Sequence, residues 1–480
     1  MPRPAQPDGT RSARRWLGLA MLVLVLAGGF ALAVVVGRTP PFDRWVTDPL
    51  FFKRCLAAHV NLALVAWFYS YLVALLFLLP GRPAAGLARA ATAAAFAGVA
   101  LMLAGAALPG AQPVLANYIP TIDSLPFRAG QLLFLAGVLL GVAERTLPLP
   151  GRLGQGADAA PLAEIPPAAQ TGLRAAALAL GLAALTFGIA WLRMPPGLEN
   201  GVYYELLVWG SGHVLQLVCV LAMLSLWVIL LAQVLGESPV SQAAARWLFF
   251  SMTLPWAIAP LLALAGPASS AYREGFSQLM RWCIAPGVAA TLMVCAGPLR
   301  RAWRTRRISP RTFGDYRLSA FAVSALLTLL GFGLGAAIRG SNTMVPAHYH
   351  ASVGAVTVAF MAGTFWLLGI FGLPISTRRV RRAAAWQPAL YGAGMLVFAA
   401  GFALAGAHGM GRKVYGAEQA SRGLAESIGL GMMGIGGAVS IAGGLLFLGI
   451  VAAAWWRRAG AAVTPEAGLE ESPGRWRLES

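Results

Sequence analysis

Five histidines carry the chemistry this sequence offers, and four of them fall inside apolar stretches. They are His59, His213, His348 and His350; the fifth, His408, lies in a polar connection. An ionisable group inside a membrane is costly, so it is read first as functional. A lone histidine in a membrane helix also serves as an interhelical hydrogen bonder. The spacing of His348-Tyr349-His350 goes further. Helical residues advance by about 100° each, so these two imidazoles point about 200° apart. They cannot share one metal, but each can serve a group on its own face of the helix. Histidine ligation of haem iron meets that need. A compact zinc or single-iron site does not. A histidine from another helix would complete one of two haems as a bis-histidine centre, and His59 is the candidate.

The elements that must position these residues are membrane helices. The chain has 480 residues, 58% hydrophobic and only 11% charged, with a mean hydropathy of +0.68. Soluble domains carry about 25% charged residues. A membrane helix needs about 20 mostly apolar residues. Twelve such stretches are present, near 16–37, 55–80, 88–109, 126–146, 171–192, 203–235, 246–266, 278–298, 317–338, 348–373, 387–407 and 429–456. The apolar runs are continuous and not alternating, so strands are not expected. The fold class expected is an all-α membrane protein, a twelve-helix bundle over 16–456, between a basic segment 1–15 and a mixed-charge tail 457–480. The first stretch has no convincing small-residue cleavage site and is read as retained.

The net charge of +19 does not imply a nucleic-acid partner. The arginines cluster in short connections: Arg300, Arg301, Arg304, Arg306, Arg307 and Arg311 in one, Arg378, Arg379, Arg381 and Arg382 in another, and Arg3, Arg11, Arg14 and Arg15 before the first helix. Twelve spans place all three on one side, cytoplasmic by the excess of basic residues in cytoplasmic loops. Both termini are then cytoplasmic and every even-numbered helix starts at the outer face. His59, His213, His348 and His350 all lie on even-numbered helices, three of them near the start, so they converge at one depth range.

Other residues are less informative. Cys55, Cys219, Cys283 and Cys295 form no CxxC or CxxCH motif and read as small apolar residues. Cys219 follows His213 by six residues, about 240° round the helix, and is expected to face away from it. Tyr203 and Tyr204 suit interfacial anchoring, and Trp209 suits packing. His408 reads equally as an exposed loop residue or a propionate partner. Glu144, Glu205 and Glu274 lie near span ends, and no proton-pumping channel is visible.

The stretches around these histidines resemble subunit I of the haem-copper oxidases, the family of cytochrome oxidases and nitric oxide reductases, in order along the membrane core. AAHVNLALVAWF (57–68) is similar to its low-spin haem helix and VPAHYHASVGAV (345–356) to its HxH helix. WGSGHVLQLV (209–218) resembles the helix that gives the first copper ligand. HGMGRKVYG (408–416) resembles a GMPRRY loop whose basic pair binds haem propionates. The resemblance implies His59 and His350 as ligands of a low-spin haem, His348 as the ligand of a high-spin haem, and Arg412 and Lys413 on propionates. It also implies a bacterial inner membrane setting, quinol or cytochrome c as electron donor, and small accessory membrane subunits beside the lipid. The copper site departs from the family. LALAGPASSAY (262–272) stands where C-type members carry AGPHH, so Ala268 and Ser269 replace the histidine pair, and Leu217 and Leu215 replace a tyrosine and an acid. His213 is then a vestigial copper position and copper is not expected. Two functions remain open: an oxidoreductase moving electrons through two haems to dioxygen or nitric oxide, or a non-catalytic haem electron carrier, ligand sensor or haem-handling subunit.

Overall fold

The computed structural model describes residues 8–36, 49–81, 83–147, 165–412 and 423–461. Twelve helices long and apolar enough to cross a membrane run through it. They are α1 (Gly9–Val34), α2 (Leu50–Leu76), α3 (Ala85–Ala107), α4 (Leu125–Thr146), α5 (Pro167–Leu192), α6 (Asn200–Leu235), α7 (Gln242–Leu264), α8 (Ser270–Arg304), α9 (Tyr316–Ala336), α10 (Met344–Ile370), α11 (Arg378–Ala407) and α12 (Leu424–Trp456). A helix satisfies its own backbone polar groups, which hydrocarbon cannot do for it. Its outward side chains stay apolar: Leu125, Trp247, Trp282 and Leu178 are each more than 60% exposed. The Arg14 guanidinium sits 4.7 Å over the Trp455 ring, so the chain returns to the end where it began.

Three helices are irregular for local reasons. α2 contains a π-helical segment, Asn61–Ala66. α7 tightens to a 3₁₀ segment at Leu254–Ile258, where Pro255 cannot donate a backbone hydrogen bond. α8 is longer than the expected 278–298 and breaks at Ile284, ahead of Pro286. α1 begins inside the basic segment assigned to 1–15 and takes in Arg11, Arg14 and Arg15.

Strands were not expected, yet a short antiparallel hairpin joins α3 to α4: β1 (Gln112–Val114) and β2 (Thr121–Asp123), with Pro113 opposite Ile122. It lies outside the apolar runs, so the exclusion of open strands from hydrocarbon does not reach it. Small residues let helices close up. A Cβ on Gly98 of α3 would overlap the backbone of Gly130 and Phe134 in α4. A polar chain fixes α10: Trp227 Nε1 of α6 donates to Ser324 Oγ of α9 at 2.8 Å, and Ser324 donates to Ala355 O of α10 at 2.8 Å. All three groups are buried, so each needs its partner.

Candidate haem-binding site

The four membrane histidines share one hydrogen-bonding habit. Each directs Nδ1 at a backbone carbonyl: His59 at Ala27 O (2.9 Å), His213 at Trp209 O (2.6 Å), His348 at Gly331 O (2.7 Å) and His350 at Pro346 O (2.8 Å). A carbonyl only accepts, so Nδ1 carries the proton and Nε2 keeps its lone pair. That arrangement fixes the tautomer and aim of an imidazole that ligates a metal through Nε2.

On α10 the two histidines part as the helical rotation requires. His348 turns to α9, where Gly335 leaves it room; a Cβ there would stand 2.8 Å from His348 Nδ1. His350 turns to α11, stacked on Phe402 at 5.4 Å and edge-on to Phe398 at 4.8 Å. The start of α10 is pinned by Thr343, whose N–H donates to Met410 O at 2.9 Å and whose hydroxyl donates to Phe402 O at 2.9 Å. Asn342 and Gly411 form a bridge beside it. This brings Arg412 to the α10 start. Its Nε is buried, with no hydrogen-bond partner among the described residues. Lys413 lies outside the described residues. His408 is exposed and donates to Leu404 O at 2.9 Å.

His59 lies two residues before the π-helical segment, a feature often found at functional sites. Asn61 opens that segment, donating to Ala57 O (2.9 Å) and Pro120 O (2.7 Å) while accepting from Gln131 Nε2 (2.8 Å). Gln131 Oε1 accepts from Thr121 Oγ1 at 2.8 Å. The hairpin is thereby clamped to α2 beside His59.

His213 differs from the other three. Its Nε2 meets the hydroxyl of Tyr118, from the hairpin turn, at 2.9 Å. Tyr118 is absent from the sequence-derived set, because a loop residue contacting a helix 95 positions later leaves no periodic trace. The glycines of WGSGH were the available signal, since Gly212 leaves the space the Tyr118 ring fills. Burial pushes the Tyr118 hydroxyl well above its ordinary range; the Glu205 carboxylate adds to this and Arg412 opposes it. Glu205 accepts from the Asn117 backbone N–H at 2.6 Å and from the Asn117 side chain. Ser269 caps α8, accepting from Tyr272 N at 3.1 Å and donating to Gly266 O at 2.8 Å. Cys219 lies 3.7 Å from the Tyr69 hydroxyl on α2, apart from the contacts of His213. Glu144 accepts from Ala84 N at 2.8 Å, Glu274 is exposed, and Tyr204 accepts from Arg128 at 3.1 Å. No cluster of three or more His, Cys, Asp or Glu side chains able to hold a metal occurs among the described residues.

Comparison with known proteins places this fold. The chain superposes on a chain of a heme-copper terminal oxidase dimer, solved by cryo-EM, with a TM-score of 0.74 over 96% of this chain and 85% of that one, at 16% identity. With twelve membrane-spanning helices among the described residues, this protein is a membrane protein with the fold of a heme-copper terminal oxidase. Its sequence is 28% identical to an uncharacterised protein of Aquifex aeolicus (strain VF5) over 74% of this chain and 84% of that protein. It is 25% identical to an uncharacterised protein of Rickettsia prowazekii (strain Madrid E) over 91% of this chain and 94% of that one. No family model matches the chain.

Proposed function

We propose that this chain is an oxidase-like membrane haem protein that moves electrons through two haems. The observation that carries the reading is the common habit of His59, His348 and His350. Each gives its Nδ1 proton to a backbone carbonyl, which fixes the tautomer that an imidazole needs to ligate iron through Nε2. The buried, partnerless Nε of Arg412 supports an anion at the start of α10, as a haem propionate would supply. Lys413 belongs to the same proposal.

His59 and His350 would hold the low-spin haem, and with two imidazoles on its iron that haem would supply electron exchange and no substrate binding. His348 would hold the second haem, whose iron would be the one to bind a small ligand such as dioxygen or nitric oxide. Bound haem supplies one-electron exchange and ligand binding at iron. Phe398 and Phe402 pack against the His350 imidazole and hold its ring. The arginine-rich connections support an orientation with both termini in the cytoplasm and the histidine end outside. The setting is a bacterial inner membrane, with quinol or cytochrome c as donor and small accessory subunits as partners.

The second reading, a non-catalytic electron carrier, ligand sensor or haem-handling subunit, is favoured by Ala268 and by the capping role of Ser269, which leave the copper position of the fold without its second and third imidazoles. The purified protein, examined as its pyridine haemochrome, is expected to contain two haems per chain. Full-length folded protein without haem contradicts both readings; haem-replete protein that binds carbon monoxide without turning over dioxygen or nitric oxide selects the second.

A further inference from the structure

We infer that Tyr118 takes, in place of a metal, the one lone pair that His213 has to offer. The inference rests on the haem reading only in that it concerns the same end of the bundle. Trp209 O, at 2.6 Å, can only accept, so the His213 proton is on Nδ1. Nε2 therefore accepts, and the Tyr118 hydroxyl at 2.9 Å is its donor. A copper ion bound by His213 would need that same lone pair.

The pairing is built from several sides. The Tyr118 ring fills the notch left by Gly212, where any Cβ would overlap it. It stands edge-on to Trp209 at 6.0 Å and tilted on His213 at 4.8 Å. Tyr118 holds φ +65°, a left-handed backbone that a bulky side chain adopts only when its surroundings impose it. Those surroundings are present. Glu205 of α6 holds Asn117 on one side, and Asn61 of α2 with Gln131 of α4 holds Pro120 O on the other.

The other rings against His213 are those of Trp209 and Phe276, and neither offers a metal a lone pair. At the positions the sequence matched to the other copper ligands, Ala268 has no donor atom and the Ser269 hydroxyl caps α8, donating to Gly266 O and accepting from Tyr272 N. Phe276 lies 6.0 Å from the imidazole ring, and Trp209, Tyr118 and Phe276 make the neighbourhood aromatic. Such surroundings favour a neutral hydrogen-bonded pair over a divalent cation with empty coordination positions. The site is thus a phenol–imidazole pair and not a metal site.

Two measurements on the copper-replete, haem-containing full chain test this. Copper is measured against haem iron in the wild type and in His213→Ala. Background copper in both is expected; about one copper per chain that His213→Ala removes overturns the inference. Histidine-selective ¹⁵N NMR then compares the wild type with Tyr118→Phe, which keeps the ring and loses the donor. One Nε2 resonance is expected to move toward that of a free imidazole, and an unchanged spectrum overturns the pairing. Haem iron in the same samples reports on the haem reading separately: copper at background without haem sinks that reading and leaves this one standing.

Discussion

Phe360 of α10 stacks on Tyr71 of α2, with ring centroids 4.4 Å apart and planes 26° from parallel. Trp67 and Phe68 of α2 meet the same ring edge-on, at 6.1 and 5.2 Å. This aromatic joint sets the relative height of the two helices. His59 precedes Phe68 across the π-helical segment Asn61–Ala66, and His350 precedes Phe360 on a regular α-helix. Both helices are even-numbered and run the same way, so His59 and His350 both precede this joint, toward the same end of the bundle.

Phe360→Ala would remove a fully buried ring and cost about 3–5 kcal/mol. It should lower the thermal midpoint of the detergent-solubilised protein and the yield of low-spin haem together. Phe360→Leu should recover most of the stability and only part of the haem. Normal low-spin haem in Phe360→Ala would show that the joint does not set the height of His59 and His350.

Gly335 is the opening for His348. Gly335→Val would place a Cβ 2.8 Å from His348 Nδ1 and turn the ring away from Gly331 O. The carbon monoxide-reactive haem signal should fall at least about tenfold, the size of change seen when groups that orient metal ligands are altered, while the low-spin signal stays. Equal loss of both signals would mean a general packing defect.

Much of this was legible in sequence because hydrocarbon demands continuous apolar runs, which survive any packing detail. All twelve spans read from composition are helices in the structure. The opposite facing of His348 and His350 followed from helical rotation alone. The hairpin did not show, since β1 and β2 have three residues each in a polar connection. Tyr118, Asn61 and Gln131 did not show either. Their roles depend on which loop lies over which helix, a tertiary fact that no local period encodes.

Arg412 and Lys413 can be removed together. A buried guanidinium N–H without a partner costs about 1–3 kcal/mol, which a propionate would offset. Arg412→Ala with Lys413→Ala should therefore weaken haem retention through dialysis about tenfold or more, since each 1.4 kcal/mol is a factor of ten. Unchanged haem content in the double variant would count against the propionate assignment.

Tyr118 gives the stability a pH dependence of known sign. Its hydroxyl titrates above the ordinary 10.0 because burial disfavours the phenolate. The folded state then keeps a proton that the unfolded state releases, so this contribution is complete below pH 10.0 and is lost as pH rises toward the raised folded value. Wild type should lose stability relative to Tyr118→Phe in that window, by up to about 1.4 kcal/mol per pH unit. Parallel alkaline denaturation curves for the two proteins would place the Tyr118 hydroxyl in water.

His59 and His350 are proposed to hold one low-spin haem between α2 and α10. The most direct measurement is the low-temperature reduced-minus-oxidised spectrum, with electron paramagnetic resonance, of purified His59→Ala. The low-spin bis-histidine signature should disappear while the haem on His348 remains and still binds carbon monoxide. A low-spin signature retained in His59→Ala would contradict the assignment.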